Sequence, residues 1–132
     1  MGRNRINVSE LPAWGAYRLT IRLSEAVRVR VGRLGMVSLP AGSYVYCGSA
    51  RRALPARVAR HLRRRKRRHW HIDYLLARRE AKVVAVAAWC DRTECDLSAE
   101  AVAGGGQVLA PGFGSTDCRR GCGAHLARMG GL

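Results

Sequence analysis

The stretch that decides the fold begins at Ser43 and reads Ser43-Tyr44-Val45-Tyr46-Cys47-Gly48-Ser49-Ala50. Tyr44 and Tyr46 lie on one face of a strand predicted over residues 43–48, because successive side chains of a strand point to opposite faces. Gly48 either allows a close approach of the backbone to a ligand or the next helix, or ends the strand in a simple turn. The stretch therefore predicts a strand that ends in a tyrosine and a glycine.

A basic helix follows this strand almost at once and is predicted from Leu54 to about residue 65. Its apolar stripe, at helical spacing, consists of Leu54, Val58 and Leu62. Its other side carries Arg57, Arg60, His61 and Arg64. The pattern indicates a helix that buries one face and presents positive charge on the other.

The remaining elements are predicted outward from this strand and helix. Residues 17–23 and 27–31 alternate apolar and polar side chains, and residues 24–26 are short enough for a hairpin loop between them. Strands are also predicted over residues 36–39 and 82–90, the second as a buried central strand, and helices over residues 70–79 and 94–103. The tail from residue 111 is predicted to be rich in loops. The predicted class is α+β, with a small antiparallel three-stranded sheet (17–23, 43–48, 82–90), an added hairpin and flanking helices.

Length and composition indicate one globular domain. The chain has 132 residues, of which 48% are hydrophobic, a normal share for a protein with a buried core. Residues 1–13 are predicted to be a loosely ordered extension, with no hydrophobic segment of the signal-peptide kind. No apolar run approaches the roughly 20 residues of a membrane-spanning helix. We therefore expect a single domain over residues 1–132 that acts in the cytoplasm, away from membranes.

Positive charge dominates the sequence and is concentrated in one segment. The formal net charge is +15, and no acidic residue occurs from Ala26 to Ile72. The candidate phosphate contacts there are Arg51, Arg52, Arg60, Arg64, Arg65, Lys66, Arg67 and Arg68. A merely solvated arginine-rich surface is the alternative, but arginine bias of that kind usually brings a matching load of Asp and Glu. The segment therefore predicts a nucleic-acid partner, with DNA favoured over RNA.

Three short motifs resemble those of the GIY-YIG nuclease superfamily. They are Gly15-Ala16-Tyr17, Tyr46-Cys47-Gly48 and Leu54-x-x-Arg57-Val58-x-x-His61. A closer resemblance, to its stand-alone DUF123 or Uri-type branch, rests on Gly42-x-Tyr44-x-Tyr46-x-Gly48-Ser49-Ala50, His69-Trp70-His71-Ile72-Asp73-Tyr74-Leu75-Leu76, Glu94-Cys95-Asp96-Leu97 and Gly112-Phe113-Gly114-Ser115-x-Asp117-Cys118. The resemblance covers residues 14–126. The gap between its two tyrosine motifs is longer than in most of the superfamily, and the extra strands fill that gap.

The resemblance implies a metal-dependent endonuclease that hydrolyses phosphodiester bonds. Tyr17 corresponds to a general base or water-positioning residue, and Tyr46 to its partner. Because tyrosine has a pKa near 10, Tyr17 would need a nearby cation or a metal-bound water to act as a base. Arg57 corresponds to the arginine that clamps phosphate, and His61, one turn later, could contact phosphate or assist proton transfer. Glu94 corresponds to the ligand of one Mg²⁺ or Mn²⁺ ion.

Each of these residues also has a structural alternative. The two tyrosines could be core residues of the sheet, Arg57 one solvated arginine among many, and His61 a polar helix residue. Glu94 could simply complement the positive N-terminus of the helix that it begins. Asp73 and Asp117 are secondary metal candidates, because both belong to segments that resemble the DUF123 branch.

The five cysteines allow a second kind of metal site. The possible zinc ligands are Cys118, Cys122 and His125, with Cys90 and Cys95 upstream. The spacing is not that of a standard zinc knuckle, and isolated buried thiols are the commoner role of such cysteines. Disulfides are not favoured, because a cytosol keeps thiols reduced.

Three functions are compatible with these observations. The first is a metal-dependent endonuclease-like protein acting on DNA or structured nucleic acid, which requires both motif tyrosines, Arg57 and Glu94 to converge in one cleft. The second is a non-catalytic nucleic-acid-binding module that keeps the fold and the basic helix. The third is a basic partner of an acidic protein or a ribonucleoprotein, which predicts no salt-sensitive affinity for nucleic acid.

Overall fold

The fold is built from short strands and helices in a mixed order. A computed structural model describes residues 7–63, 65–114 and 124–130 of the chain. The strands are β1 (Gly15–Leu23), β2 (Val27–Val31), β3 (Gly35–Leu39), β4 (Gly42–Ala50), β5 (Ala81–Trp89) and β6 (Leu126–Met129). The helices are α1 (Leu54–Leu62), α2 (His71–Leu76) and α3 (Glu94–Ala103). The predicted α+β class is confirmed.

The main sheet is antiparallel and has the strand order β5-β1-β4-β6. Because β1 lies between β4 and β5, β5 is an edge strand, and the prediction of a buried central strand over residues 82–90 is wrong. Its apolar side chains Val83, Val86 and Ala88 pack against the core from that edge. β6 lies in the tail predicted to be rich in loops and adds a fourth strand beside β4.

The added hairpin pairs differently from the prediction. β2 pairs with β3, and not with β1, in a separate two-stranded sheet. The connection between them begins at Gly32 and leads into Gly35, the first residue of β3; both glycines are at positive φ, which suits a tight reversal of the chain. At the end of β1, the backbone N–H of Ser24 donates to the carbonyl of Glu80, 3.0 Å away. Residues 24–26 therefore do not form the turn of a strand pair.

The two faces of the main sheet bury different side chains, as the alternation of a strand requires. One face packs against α1, α2 and the β2–β3 hairpin and holds the main core, which includes Tyr17, Leu19, Ile21, Tyr44, Tyr46, Leu54, Val58, Ile72 and Leu75. On the other face, Val45 and Cys47 pack against α3 through Ala101 and Leu97. α1 and α3 therefore lie on opposite faces of the sheet.

The ends of several segments differ in detail from the prediction. Residues 1–6 lie outside the described residues, but Val8 and Leu11, within the predicted extension, pack against the main core. α1 ends at Leu62 and α2 spans only His71–Leu76, so both helices are shorter than predicted. Among the residues that the structure describes, no helix is long and apolar enough to cross a membrane.

Candidate active site

Tyr17 and Gly48 meet where β1 pairs with β4. The register of the two strands places Tyr17 directly opposite Gly48. The tyrosine ring lies against the glycine, since a Cβ on Gly48 would come within 2.6 Å of both Cζ and Oη of Tyr17. Gly48 therefore has a close neighbour, but this neighbour is the phenol of Tyr17 and neither a ligand nor the next helix, and β4 continues past Gly48 to Ala50.

The hydroxyl of Tyr17 is hydrogen-bonded to His61 on α1. Tyr17 Oη and His61 Nε2 are 2.7 Å apart, and both side chains are buried. Burial, partly opposed by Arg57, raises the pKa of Tyr17 to about 12. Burial, together with the charge of Lys66, lowers the pKa of His61 to about 3. At neutral pH both groups are therefore uncharged, and which of them donates in this hydrogen bond is set by the tautomer of the His61 ring.

Two expectations about this pair are corrected. His61 faces the core, and not the polar side of the helix, because it lies seven residues after Leu54 and three after Val58 and so shares their face. Arg57 does favour the anionic form of Tyr17, but burial outweighs this charge and the pKa of Tyr17 rises. In the free protein the nearby cation therefore does not prepare Tyr17 as a base.

Trp70 holds Arg57 beside Tyr17. The guanidinium carbons of Arg57 and Arg60 lie 4.3 Å and 4.5 Å from the Trp70 ring centroid, which is cation–π distance. The Nε of Arg57 is buried and has no hydrogen-bond partner among the described residues. The positive charge of the Arg57 guanidinium also lowers the pKa of the Tyr17 hydroxyl. Trp70 is not among the predicted site residues; an aromatic residue just after a basic run is the signal that could have found it.

Arg60 and Lys66 are engaged inside the protein, unlike the solvent-facing phosphate contacts predicted for them. Arg60 makes two hydrogen bonds of 3.0 Å to the carboxylate of Asp73, which is fully buried. Asp73 also accepts two backbone N–H groups at the start of α2. These bonds outweigh the effect of burial and lower the pKa of Asp73. Lys66 Nζ donates to the last carbonyl groups of α1.

The metal role suggested for Asp73 is therefore wrong. Its carboxylate is enclosed by the Arg60 guanidinium and by backbone donors, and its side chain has no exposed surface. A divalent ion would have to displace Arg60 to reach these oxygens. Asp73 instead ties α1 to α2, and this ion pair also keeps Arg60 against the ring of Trp70.

Tyr46 lies beside the same pair and, like Tyr17, is buried in the core. Its ring centroid is 6.1 Å from that of His61 and 6.4 Å from that of Phe113. Burial raises the pKa of Tyr46 well above its usual value. A Cβ on Gly114 would come within 2.9 Å of the Tyr46 ring, and the Gly114 N–H donates to His71 Nδ1 over 2.8 Å. The loop at residues 113–114 therefore closes over Tyr46, which fits the structural alternative for this residue.

Glu94 is the first residue of α3 and lies near both tyrosines. After burial, its negative charge is among the influences that raise the pKa of Tyr17 and of Tyr46. Its side chain is 33% exposed. The reciprocal N-cap bonds of α3 are made by Thr93 and Asp96. The Glu94 carboxylate is therefore not used to cap the helix, and solvent can reach it.

The donors around Glu94 fit one divalent ion completed by other ligands. Within the described residues, no group of three or more His, Cys, Asp or Glu side chains could hold a metal ion. Glu94 offers one accessible carboxylate, and His125 Nδ1 lies 3.6 Å from its Oε2. A single carboxylate with water and phosphate oxygens is a normal site for Mg²⁺ or Mn²⁺.

The zinc prediction lies mostly beyond the described part of the chain. Cys118 and Cys122, and the metal candidate Asp117, are outside the described residues. Cys90 Sγ donates to the backbone carbonyl of Trp14 over 3.3 Å. Zinc binding, the less favoured role for these cysteines, is therefore not tested.

Exposed arginines border this end of the sheet. Those with exposed side chains are Arg51, Arg52, Arg65, Arg67 and Arg68, and Arg64 lies outside the described residues. The first two occupy the connection from β4 to α1, and the others the connection from α1 to α2. Arg68 also lies 5.8 Å from the ring centroid of Tyr74. Positive charge therefore flanks both ends of α1, the helix that carries Arg57 and His61.

Comparisons with known proteins give one match to a family model. The model is described as a domain of unknown function, DUF123, and matches residues 16–131 of the chain. No curated protein matches the chain, and no solved structure does.

Proposed function

The chain belongs to the DUF123 family, and we propose that it is a metal-dependent endonuclease of the GIY-YIG type, which hydrolyses phosphodiester bonds in DNA or structured nucleic acid. One observation carries the proposal. Tyr17 is hydrogen-bonded to His61 at one end of the sheet, and the charges of Arg57 and of the accessible Glu94 carboxylate both act on its pKa. The hydrogen bond joins residues of two motifs that lie 44 positions apart, which supports the proposal.

The arrangement divides the work of hydrolysis among these residues. Arg57, whose side chain is partly exposed, binds the oxygens of the scissile phosphate and stabilises the charge that grows there. With His61 in the tautomer that leaves Nε2 unprotonated, Tyr17 Oη accepts a proton from the attacking water while its own proton passes to that nitrogen, so the pair moves one proton without leaving a phenolate. A Mg²⁺ or Mn²⁺ ion on Glu94, when bound, stabilises negative charge on the phosphoryl and leaving oxygens.

Bound nucleic acid would also change the electrostatics of His61. Its pKa is lowered by burial and then by the charges of Lys66, Arg57 and Arg60, while Asp73 opposes them. A phosphate beside Arg57 adds negative charge and so raises the proton affinity of the imidazole. Proton transfer from Tyr17 to His61 would therefore become more favourable when substrate binds.

A non-catalytic nucleic-acid-binding module is the second candidate. It is favoured by the protonation states of Tyr17 and His61 in the free protein. Burial raises the pKa of Tyr17 to about 12 and lowers that of His61 to about 3, so neither group readily takes up a proton at neutral pH. Such a module would need only the exposed arginines around α1. The two candidates agree on the partner and differ on whether it is cut.

Binding and cleavage are measured together on duplex, nicked and branched DNA and on RNA. We expect affinity, followed by fluorescence anisotropy, to fall with salt at a log–log slope of about −0.9 per phosphate neutralised. Arg67→Ala should reduce this slope by about one, and Arg28→Ala, exposed on the β2–β3 hairpin, should leave it unchanged. Cleavage products that require Mg²⁺ or Mn²⁺ support the endonuclease. Salt-sensitive binding without cleavage products supports the non-catalytic binding module. A log–log slope near zero contradicts both candidates.

A further inference from the structure

His125 is a buried histidine with one ring nitrogen aimed at Glu94. It is 3% exposed and directly precedes β6. Its backbone N–H donates to the carbonyl of Phe113 over 2.8 Å, and its carbonyl accepts the N–H of Cys47 over 2.9 Å. These two backbone bonds fix His125 between β4 and the loop at residues 113–114, independently of what its ring does.

The Nδ1 atom of His125 has no hydrogen-bond partner among the described residues. Its nearest acidic atom is Oε2 of Glu94, at 3.6 Å, which is too far for a normal hydrogen bond. A buried polar atom without a hydrogen bond costs free energy. Such an atom in a folded protein therefore indicates a further partner, such as a bound ion or water. A cation shared with Glu94 would be such a partner.

We propose that His125 Nδ1 and Glu94 Oε2 together bind the divalent ion, so that the site has a mixed nitrogen–oxygen donor set. The inference rests on the proposed function and adds a second protein ligand to it. Two ligands each about 2.1 Å from one ion lie roughly 3.0 Å apart at a right angle and roughly 3.4 Å apart at a tetrahedral angle. The observed 3.6 Å needs only a small closure of the pair.

The other side of the imidazole is compatible with this role. When Nδ1 binds an ion, the ring proton is on Nε2, and histidine ligands usually donate that proton to a neighbouring acceptor. His125 Nε2 lies 3.9 Å from Cys95 Sγ, a weak acceptor on α3. Cys95 directly follows Glu94, so the first turn of α3 contacts both nitrogens of the ring.

A nitrogen ligand predicts how the site ranks different ions. Mg²⁺ strongly prefers oxygen ligands in octahedral geometry. Divalent transition ions accept imidazole, with affinities that rise from Mn²⁺ towards Ni²⁺. The site should therefore prefer Mn²⁺ and Co²⁺ to Mg²⁺ by a factor that depends on His125.

The test uses the full chain with Mn²⁺ as a spectroscopic probe, without nucleic acid. Pulsed electron paramagnetic resonance of bound Mn²⁺ should show coupling to one directly bound nitrogen, and labelling histidine with ¹⁵N should change that coupling. Glu94→Gln gives the background of other sites. His125→Gln should remove the coupling and weaken Mn²⁺ binding roughly tenfold or more, with a smaller effect on Mg²⁺ measured by competition. His69→Gln, at an exposed histidine, should change neither.

The outcomes separate this inference from the proposed function. Mn²⁺ bound in a manner that needs Glu94 but shows no nitrogen coupling overturns the role of His125 and leaves the metal site on Glu94 intact. Absence of any Mn²⁺ binding above the Glu94→Gln background overturns the metal site and the inference together. The measurement on unmutated protein decides the question even if His125→Gln folds poorly.

Discussion

Arg57→Ala is expected to lower the single-turnover rate of cleavage at saturating substrate by about 10²–10³-fold, the usual cost of losing one donor to the charge that grows on a reacting phosphate. The guanidinium is held against Trp70, with its carbon 4.3 Å from the ring centroid. It also acts on the hydroxyl of Tyr17, so its loss raises the pKa of that group further. Rates are measured with substrate labelled at one end.

Arg67→Ala is the matched control for Arg57→Ala. It removes the same charge from an exposed position outside α1. We expect this variant to raise the concentration needed for saturation and to leave the saturated rate almost unchanged. Equal saturated rates for the two variants would contradict the role assigned to Arg57, because a residue that only binds substrate cannot act on the step that follows binding.

Gly48→Ala is expected to damage both stability and the site. The new Cβ would lie 2.6 Å from Cζ and Oη of Tyr17, so the buried ring must move. That shift pulls the phenol away from His61 Nε2, now at 2.7 Å. Overpacking of this kind costs typically 1–3 kcal/mol, and we expect a loss of about 2 kcal/mol in the free energy of unfolding, measured in urea.

Gly130→Ala provides the matched control for Gly48→Ala. Gly130 follows β6, and a Cβ there would meet nothing within 4 Å. The control should therefore unfold at the urea concentration of the unmutated protein. If Gly48→Ala matched it in stability and also kept full cleavage activity, the tyrosine ring would not be fixed against this strand, and the site geometry would be wrong.

The strands that could be predicted are those whose alternation is read directly from the sequence. Residues 17–23, 27–31 and 43–48 fall within β1, β2 and β4 because half-buried strands repeat every two residues. Their partners could not be predicted in the same way. The apolar run of β5 says that side chains are buried, but it does not distinguish an edge strand from a central one. β6 spans only four residues, too few for a clear pattern.

The helical spacing that places His61 in the core is present in the sequence, but the prediction assigned that buried position to Leu62. Leu54, Val58 and His61 are the residues of α1 that are buried, whereas Leu62, taken as the third member of the stripe, is only partly buried. Positions i, i+4 and i+7 face the same side of a helix, so the spacing favours His61 as much as Leu62. The prediction chose Leu62 because leucine is hydrophobic. In the structure His61 is the buried residue, and its hydrogen bond with Tyr17 satisfies one of its ring nitrogens.

Contacts between distant residues were beyond the reach of the sequence. Arg60 and Asp73 are thirteen residues apart, and nothing in their spacing distinguishes an internal ion pair from two separate surface charges. The same applies to His125 and Glu94, which belong to different elements and meet only because β6 lies beside β4. Residue types and motif order gave the candidate side chains, and tertiary packing decides which of them are enclosed in internal contacts and which stay accessible.

Cleavage by Glu94→Gln, compared with that by the unmutated protein, tests the central claim most directly. Glutamine keeps the size of the side chain at the start of α3 and removes the charge that would hold the ion. Glu100→Gln, on the exposed end of the same helix and paired with Arg92, is the control. We expect the unmutated protein and Glu100→Gln to cut a branched or nicked DNA in Mn²⁺ or Mg²⁺. Glu94→Gln should bind that DNA with similar affinity and cut it no faster than the unmutated protein does in the presence of EDTA. Undiminished cleavage by Glu94→Gln, or no metal-dependent cleavage of any DNA or RNA substrate by the unmutated protein, would contradict the account.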